Sequence, residues 1–172
     1  MVSIGLSIQN YNCTKWSINC AYFLQKLIKT NPVYKDAFRE LGLLEMIISC
    51  LHKFAVLLKE KHVDANLDGM QIDPHQKELG FLIMDITSCL LSQNSANAKL
   101  FRELGGARLA HNMVPYKLCR AKSLNIVSTL LLSSYGEDDM STLLGLMHTA
   151  QVEDLELKNA VLQVFNFSFE NY

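Results

Sequence analysis

The pentapeptide Phe-Arg-Glu-Leu-Gly occurs twice in this chain, and no other feature constrains the fold as strongly. The first copy is Phe38–Gly42 and the second is Phe101–Gly105, which begins 63 residues after the first. An apolar run lies upstream of each copy and another lies downstream. Five identical residues in the same order indicate an internal repeat. Repeated helical units of this size usually stack side by side instead of closing around one pocket.

The first copy has the signals of a short helix that ends at its glycine. Asn31 can cap a helix that opens with Pro32, where the missing N–H of proline costs no hydrogen bond. Phe38 and Leu41 are three residues apart, so we expect them to share one buried face. Gly42 is suited to the left-handed conformation that ends a helix.

The second copy repeats these signals. Asn94 or Ser95 is the expected cap, and Gly105-Gly106 is the expected stop. The buried stripe should consist of Leu100, Phe101 and Leu104. We expect the replacement of Phe38 or Phe101 by alanine to cost about 3–5 kcal/mol if each ring is buried between successive layers.

The charged pairs inside the two copies admit two interpretations. Arg39-Glu40 and Arg102-Glu103 are adjacent in sequence, so their side chains diverge on a helix and do not pair with each other. One interpretation is a catalytic Arg/Glu couple, and the other is a solvated helix face. We adopt the solvated face.

Apolar residues recur at helical spacing along most of the chain. An acidic run, Glu137–Asp139, precedes one expected helix start, where negative charge is favourable. The segment Phe165–Phe169 alternates and is either a strand or an aromatic helix end. The predicted helices are Ser17–Thr30, Val33–Leu41, Leu43–Glu60, His75–Gln93, Ala98–Leu104, Ala107–Val114, Cys119–Ser133, Met140–Ala150 and Asp154–Phe167. The sequence thus predicts an all-α, armadillo/HEAT-like α-solenoid, a right-handed superhelix of stacked helices.

Length and composition limit the classes of function. The 172 residues predict one segment, 1–172, with a polar insertion loop at 61–74. A formal charge of −1 gives no electrostatic reason to expect nucleic acid or an anionic membrane. The apolar runs are interrupted too early for membrane insertion, for example by Asp85, and no signal peptide is evident. The five widely spaced cysteines are expected to be reduced thiols, and we predict a cytoplasmic protein.

The insertion loop resembles the first half of a calcium-binding EF-hand loop. Asp64, Asn66 and Asp68 occupy its first, third and fifth positions, and Gly69 follows at the turn. The twelfth position, normally a bidentate glutamate, is His75, and an imidazole is a poor ligand for calcium. A solvated loop is therefore the main interpretation. A calcium- or metal-responsive switch at Asp64–Asp73 is the alternative, which a metal titration or the Asp64→Ala variant would distinguish.

The remaining chemistry-bearing residues suggest no catalytic site or cofactor. His62 and His75 flank the loop and could hold zinc with a loop aspartate, but their spacing matches no closed zinc site. His52, His111 and His148 are isolated and are expected at the surface or as satisfied core residues. The sequence contains no nucleophile elbow and no glycine-rich phosphate loop. We predict that the chain is not an enzyme.

Longer strings resemble a known family. These are Tyr34–Glu45, Leu51–Lys59, Phe101–Asn112 and Asp138–His148, and the likeness spans roughly Asn31 to Lys158. They resemble the N-terminal armadillo-like region of the large BEACH-family proteins that carry WD repeats and a FYVE domain, the group of the autophagy-linked FYVE protein. The BEACH, WD-repeat and FYVE modules themselves have no counterpart in this sequence.

The resemblance implies a scaffold connected with selective autophagy and membrane trafficking. Its expected partners are other proteins or neighbouring domains of a larger chain, bound at positions that the sequence does not identify. A stack that ends abruptly leaves apolar faces uncapped, so we also expect self-association of the isolated chain.

Overall fold

The computed structural model describes residues 17–63, 72–134, 136–149 and 154–170, and this part of the chain is all-α, without strands. Nine helices follow one another within it. They are α1 (residues 17–30), α2 (Val33–Glu40), α3 (Leu43–Val63), α4 (Pro74–Leu91), α5 (Ser95–Glu103), α6 (Gly106–Met113), α7 (Arg120–Ser133), α8 (Glu137–Thr149) and α9 (Leu155–Glu170). The predicted all-α helical-repeat fold is confirmed.

The two pentapeptides form equivalent corners. Helices α2 and α5 both end two residues before a glycine in the left-handed region, with φ of 74° at Gly42 and 80° at Gly105. The amide of Gly42 donates to the carbonyl of Arg39 over 3.0 Å, and that of Gly105 donates to the carbonyl of Arg102 over 2.9 Å. The predicted glycine stops are therefore confirmed in both copies.

The helix starts agree with the predicted caps to within one residue. The Asn31 side chain accepts from the amide of Val33 over 3.0 Å, although Pro32 precedes the first helical residue instead of opening the helix. In the second copy Asn94, not Ser95, is the cap, because its side chain accepts from the amide of Asn97 over 2.9 Å.

Six of the described helices form two rows. In one row α7 packs against both α4 and α9, and in the other α6 packs against both α3 and α8. Each helix of the first row buries residues at the same spacing, i, i+3 and i+4. These triplets are Thr87, Leu90 and Leu91 on α4, Val127, Leu130 and Leu131 on α7, and Val161, Val164 and Phe165 on α9. The shared pattern indicates that the successive layers are built alike.

The predicted apolar stripes of the long helices lie in the core. On α3 the buried residues of the stripe are Ile47, Leu51, Phe54 and Leu58, and on α7 they are Leu124, Val127, Leu130 and Leu131. On α4, Leu82, Ile86 and Leu90 are buried. Leu79 and Ile83 on the same helix are only half-buried.

The corner leucines were predicted wrongly. Leu41 is 79% exposed, and Leu104 is also exposed, although both were expected on the buried face. Each leucine follows the last helical residue, with ψ close to 0°, so its side chain no longer continues the face that carries the phenylalanine. Helical spacing does not extend past the end of a helix.

The two phenylalanines occupy the same corner but differ in burial. Phe101 is fully buried, whereas Phe38 is half-buried and stacks on Tyr34 with 6.0 Å between the ring centres. A Cβ atom on Gly106 would lie 2.5 Å from the Phe101 ring, so this ring packs directly on the α6 backbone. Leu43 stands at the corresponding position of the first copy.

Helix boundaries elsewhere differ from the prediction as well. Helix α3 continues through Val63 into the predicted loop 61–74, and α5 begins at Ser95 instead of Ala98. Helix α8 begins at Glu137, so the acidic run forms its first turn instead of preceding it. Helix α9 continues through Glu170, so the strand alternative for Phe165–Phe169 is wrong. The helical continuation follows from the i, i+3, i+4 burial of α9, which is stronger than the short alternation at its end.

Among the described residues, no single helix is both long and apolar enough to cross a membrane. Helix α2 and the segment Leu43–Lys61 have that length and composition when taken together, but the pair is bent by 80°.

Candidate functional site

The repeated arginines connect successive layers. The Arg39 guanidinium donates to Asp36 over 2.7 Å and to the side-chain oxygen of Asn97 over 2.9 Å. Asn97 in turn donates to the carbonyls of Lys35 and Leu90. Asn97 is the third residue of α5, so the arginine of the first corner reaches the start of the next short helix.

Arg102 makes the same kind of connection to the third residue of α8. It pairs with the buried carboxylate of Asp139 and donates to the carbonyls of Leu130 and Ser134 at the end of α7. His111 Nε2 lies 3.0 Å from the other carboxylate oxygen of Asp139. The prediction that Arg102 forms a solvated face is therefore wrong, and His111 is buried in this cluster instead of isolated.

The cluster keeps Asp139 ionised. Burial alone raises the pKa of the Asp139 carboxyl, but hydrogen bonds from His111 and Arg102 and the charge of the guanidinium outweigh that effect. The net result is a pKa below the ordinary value of an aspartate. The native state therefore binds a proton at this site less readily than the unfolded chain does.

This shift predicts a pH-dependent contribution to stability. Because the folded pKa of Asp139 is depressed, its stabilisation is complete above the unfolded pKa of about 3.9 and is lost as pH falls through the folded pKa. The Asp139→Asn variant should lose about 2 kcal/mol at neutral pH, and the difference from the parent chain should shrink below about pH 4. Urea unfolding across this pH range measures it. The control is Asp138→Asn, at the exposed neighbouring residue. If the stability difference between Asp139→Asn and the parent chain does not change with pH, the lowered pKa of Asp139 is contradicted.

The buried Arg120 holds the α6–α7 connection to α9. Arg120 donates to the carbonyls of Val114 and Pro115, both over 3.2 Å. It also forms a two-pronged pair with Asp154, over 2.8 and 3.2 Å. Asp154 additionally accepts from the amide of Leu157 and thereby caps α9. This arginine fixes the position of the last helix.

The thiols differ in accessibility, and all four described cysteines are free. Burial raises the pKa of Cys119 to about 11, whereas Cys20 is exposed. In native protein at mildly alkaline pH, iodoacetamide should modify Cys20 first and should reach Cys119 only on global unfolding. Peptide mass spectrometry with and without urea measures this order. Modification of Cys119 at the same rate as Cys20 would show that α7 opens locally.

An aromatic and charged cleft lies across α1, α4 and α7. At its centre is the ring of Phe81, with Lys77 Nζ 5.6 Å and Lys122 Nζ 5.4 Å from the ring centre. Lys122 also pairs with Asp85 over 2.6 Å and so joins α7 to α4. The cleft has a volume of about 350 Å³. We refer to it as the Phe81 cleft.

Tyr22 closes the α1 side of the Phe81 cleft. Its hydroxyl donates to Glu78 over 3.0 Å, and this hydrogen bond and the carboxylate charge raise the pKa of Tyr22. Tyr22 itself is exposed. The cleft therefore brings two lysines, two carboxylates and two aromatic rings together on one surface, where Lys122 pairs with Asp85 and Tyr22 with Glu78.

An apolar groove lies between α3 and α4, with a volume of about 440 Å³. Its lining residues are Cys50, Lys53, Phe54, Val56, Leu57, Glu60, Gln76, Leu79, Gly80 and Ile83. A Cβ atom on Gly80 would lie 2.5 Å from the Phe54 ring, so the ring forms the floor of the groove. We refer to it as the α3/α4 groove.

The candidate metal ligands Asp64, Asn66 and Asp68 lie outside the described residues. Asp73, at the end of the predicted switch segment, caps α4 by accepting from the amides of His75 and Gln76, both over 3.0 Å. In the part of the chain that the structure describes, no three His, Cys, Asp or Glu side chains converge in a metal-binding arrangement. The metal alternative stays a prediction.

Comparison with known proteins gives a distant relative. The chain is similar to the human WD repeat- and FYVE domain-containing protein 4. The two are 27% identical over 140 residues, which cover 77% of this chain but only 4% of the relative's length. No family model and no solved structure matches the chain. The predicted resemblance to proteins with WD repeats and a FYVE domain is thus confirmed as a distant similarity.

Sequence reasoning missed the residues that join the layers and form the Phe81 cleft. The repeated arginines were recognised, but their partners Asn97 and Asp139 were not. A signal was present, because each partner is a short polar residue near the start of the helix that follows. No local pattern identified Phe81, whose two lysine neighbours come from different helices.

Proposed function

We propose that this chain is a non-enzymatic helical-repeat scaffold that binds other proteins through the Phe81 cleft. The observation that carries the proposal is that one cleft joins residues of three helices, α1, α4 and α7, and presents charge and aromatic surface together. A ligand bound there contacts several layers at once, which is how stacked-repeat proteins form extended binding surfaces. Lys77 and Lys122 would supply attraction for an acidic residue of the partner.

The family resemblance of the sequence suggests a more specific version of this proposal, and the distant relative supports the part of it that concerns proteins with WD repeats and a FYVE domain. The chain is an armadillo-like segment of a large cytoplasmic BEACH-type protein, with a role in selective autophagy and membrane trafficking. Because the chain spans about 4% of that relative's length, its partners include neighbouring domains of a longer protein as well as separate proteins.

Affinity capture with a charge-reversed cleft tests the scaffold role. The Lys77→Glu variant changes a cleft residue, and Lys99→Glu changes an exposed lysine on α5 away from the cleft. Proteins that are enriched by the parent chain and by the control variant, but reduced about tenfold by the cleft variant, would support the proposal. Direct titration of the purified partner should follow the same order. Equal capture by both variants would contradict it.

Self-association is the expected behaviour of the isolated chain. Large apolar side chains are exposed at both ends of the described stack, among them Phe23 on α1 and Leu155 on α9. Such surface promotes association when no further layer covers it. Light scattering over a concentration series measures this, and a monodisperse monomer at high concentration would contradict it.

A further inference from the structure

A polar cavity lies between α6 and α8, beside the cluster of Arg102, His111 and Asp139. Its volume is about 480 Å³, and all three residues of the cluster are part of its wall. Two exposed charged residues complete the lining, Arg108 on α6 and Asp138 on α8. We refer to it as the His111 cavity.

The repeat does not require a polar cavity at this corner. At the 63-residue offset, Ala107 and His111 correspond to Leu44 and Ile48 on α3. Leu44 is fully buried and Ile48 is half-buried, so aliphatic side chains suit the equivalent positions of the first copy. The second copy has a smaller residue and a polar residue there, and both line the cavity. Burying a polar side chain where an apolar one fits costs stability, and such departures from the pattern are typical of functional sites.

His111 has one ring nitrogen whose hydrogen-bonding capacity is unused. Its side chain is only 6% exposed, and Nε2 lies 3.0 Å from the carboxylate of Asp139. Because an ionised carboxylate only accepts, Nε2 carries the proton, and Nδ1 of the neutral ring is an acceptor. In the described part of the chain Nδ1 has no hydrogen-bond partner. Buried polar atoms are nearly always paired, so Nδ1 is suited to a donor that a ligand supplies.

Arg102 contributes the complementary atom. Its Nε–H group is buried and has no acceptor among the described residues, although the Nη1 end of the same guanidinium pairs with Asp139. The charges of the arginine and the aspartate already match each other. The cluster therefore has one unpaired donor and one unpaired acceptor but no unmatched charge. A primary carboxamide has both an acceptor and a donor, whereas a carboxylate has no donor.

The exposed lining of the cavity has one charge of each sign, and the two charges belong to different helices. The guanidinium of Arg108 is suited to a ligand carboxylate, which it can bind through two parallel hydrogen bonds. The carboxylate of Asp138 is suited to a ligand ammonium group. A carboxylate and an ammonium group together are the backbone groups of a free α-amino acid.

From these observations we propose that the His111 cavity binds a free α-amino acid with a carboxamide side chain, glutamine or asparagine. The carboxamide donates to His111 Nδ1 and accepts from Arg102 Nε. The α-carboxylate pairs with Arg108, and the α-ammonium group pairs with Asp138. The bound amino acid thus connects α6 with α8. This goes beyond the scaffold proposal, because it assigns a small-molecule site outside the Phe81 cleft.

Two ligands of nearly the same shape test the carboxamide end of the site. Isothermal titration calorimetry of the full chain should show at least about tenfold tighter binding of L-glutamine than of L-glutamate, because the glutamate side chain has no donor for Nδ1 and is repelled by Asp139. Long-range ¹H–¹⁵N spectroscopy of the histidine rings supplies a local readout. The Nδ1 resonance of His111 should shift when glutamine binds.

Variants of the two exposed residues test the other end of the ligand. Arg108→Gln and Asp138→Asn should each weaken the binding of glutamine about fivefold, because each removes one exposed ion pair with the ligand. Lys99→Gln and Glu103→Gln remove the same charges from exposed positions on α5 that do not line the cavity, and they should leave binding unchanged. Circular dichroism confirms that all four variants fold.

Three outcomes would overturn the inference. Absence of binding by glutamine and asparagine at millimolar concentration would leave Nδ1 to solvent alone. Equal binding of glutamine and glutamate, or an Nδ1 resonance that does not move when glutamine binds, would place the ligand away from the cluster. The test is independent of the Phe81 cleft. If glutamine does not bind while protein capture still depends on Lys77, only the amino-acid site is lost, and if capture fails while glutamine binds as expected, only the scaffold proposal is lost.

Discussion

Replacing Phe101 by alanine should lower the free energy of unfolding by about 3–5 kcal/mol, whereas Phe38→Ala should cost about 1–2 kcal/mol. The two residues occupy equivalent corners with the same local sequence. The difference between the two losses in the free energy of unfolding therefore reports the difference in burial. Phe101 is 0% exposed and packs against the backbone of Gly106, but Phe38 is half-buried beside Tyr34. Urea unfolding followed by far-ultraviolet circular dichroism measures both variants under the same conditions.

Gly106 provides the control for this contact. Gly106→Ala places a Cβ atom 2.5 Å from the Phe101 ring and should be destabilising in the parent chain. In the Phe101→Ala background the same substitution should cost much less, because the ring is gone. Equal losses from Phe38→Ala and Phe101→Ala, or additive effects of the Gly106 and Phe101 changes, would show that the corner does not bury its ring as described.

The repeat and its corners were predictable because their physics is local. A cap, a glycine stop and an apolar stripe each involve residues within one or two helical turns. Asn94, Gly42 and Gly105 therefore have the roles that the sequence indicates. The residues just past a helix end were predicted wrongly for the same reason, since Leu41 lies where the helical period no longer applies.

The contacts between layers could not be predicted because they depend on which helices become neighbours. Arg102 and Asp139 are separated by 37 residues, and nothing within either helix shows that they will meet. From its charge alone, Arg102 was predicted to lie on a solvated helix face. Its burial follows from the approach of α8, where a carboxylate near a helix start accepts hydrogen bonds from both the arginine and His111.

The candidate surfaces depend on the same long-range arrangement. Phe81 becomes the centre of a cleft because Lys122 reaches it from α7, while Lys77 lies one turn away on its own helix. The α3/α4 groove depends in the same way on two helices, because Phe54 and Leu57 come from α3 and Leu79 and Ile83 come from α4. Periodicity reports the apolar pattern of a helix but not how many layers cover it.

Arg120→Ala should lower the free energy of unfolding by about 3 kcal/mol, because a buried ion pair loses one partner and two carbonyls lose their donor. Arg120 is the residue through which the α6–α7 connection holds Asp154 at the start of α9. Helix α9 should become the least protected of the described helices. Urea unfolding gives the loss in stability, and amide hydrogen exchange locates it.

Two variants separate the geometry of this contact from its charge. Arg120→Lys keeps the positive charge but cannot reach Asp154 and both carbonyls with one planar group, so it should recover only part of the stability. Glu156 lies 3.7 Å from the same guanidinium but is 71% exposed, and Glu156→Gln should change stability by less than about 0.5 kcal/mol. Two results would contradict this role: full stability of Arg120→Lys, or a loss from Glu156→Gln as large as that from Arg120→Ala. Either would show that Arg120 acts through its positive charge alone and that its hydrogen bonds do not position α9.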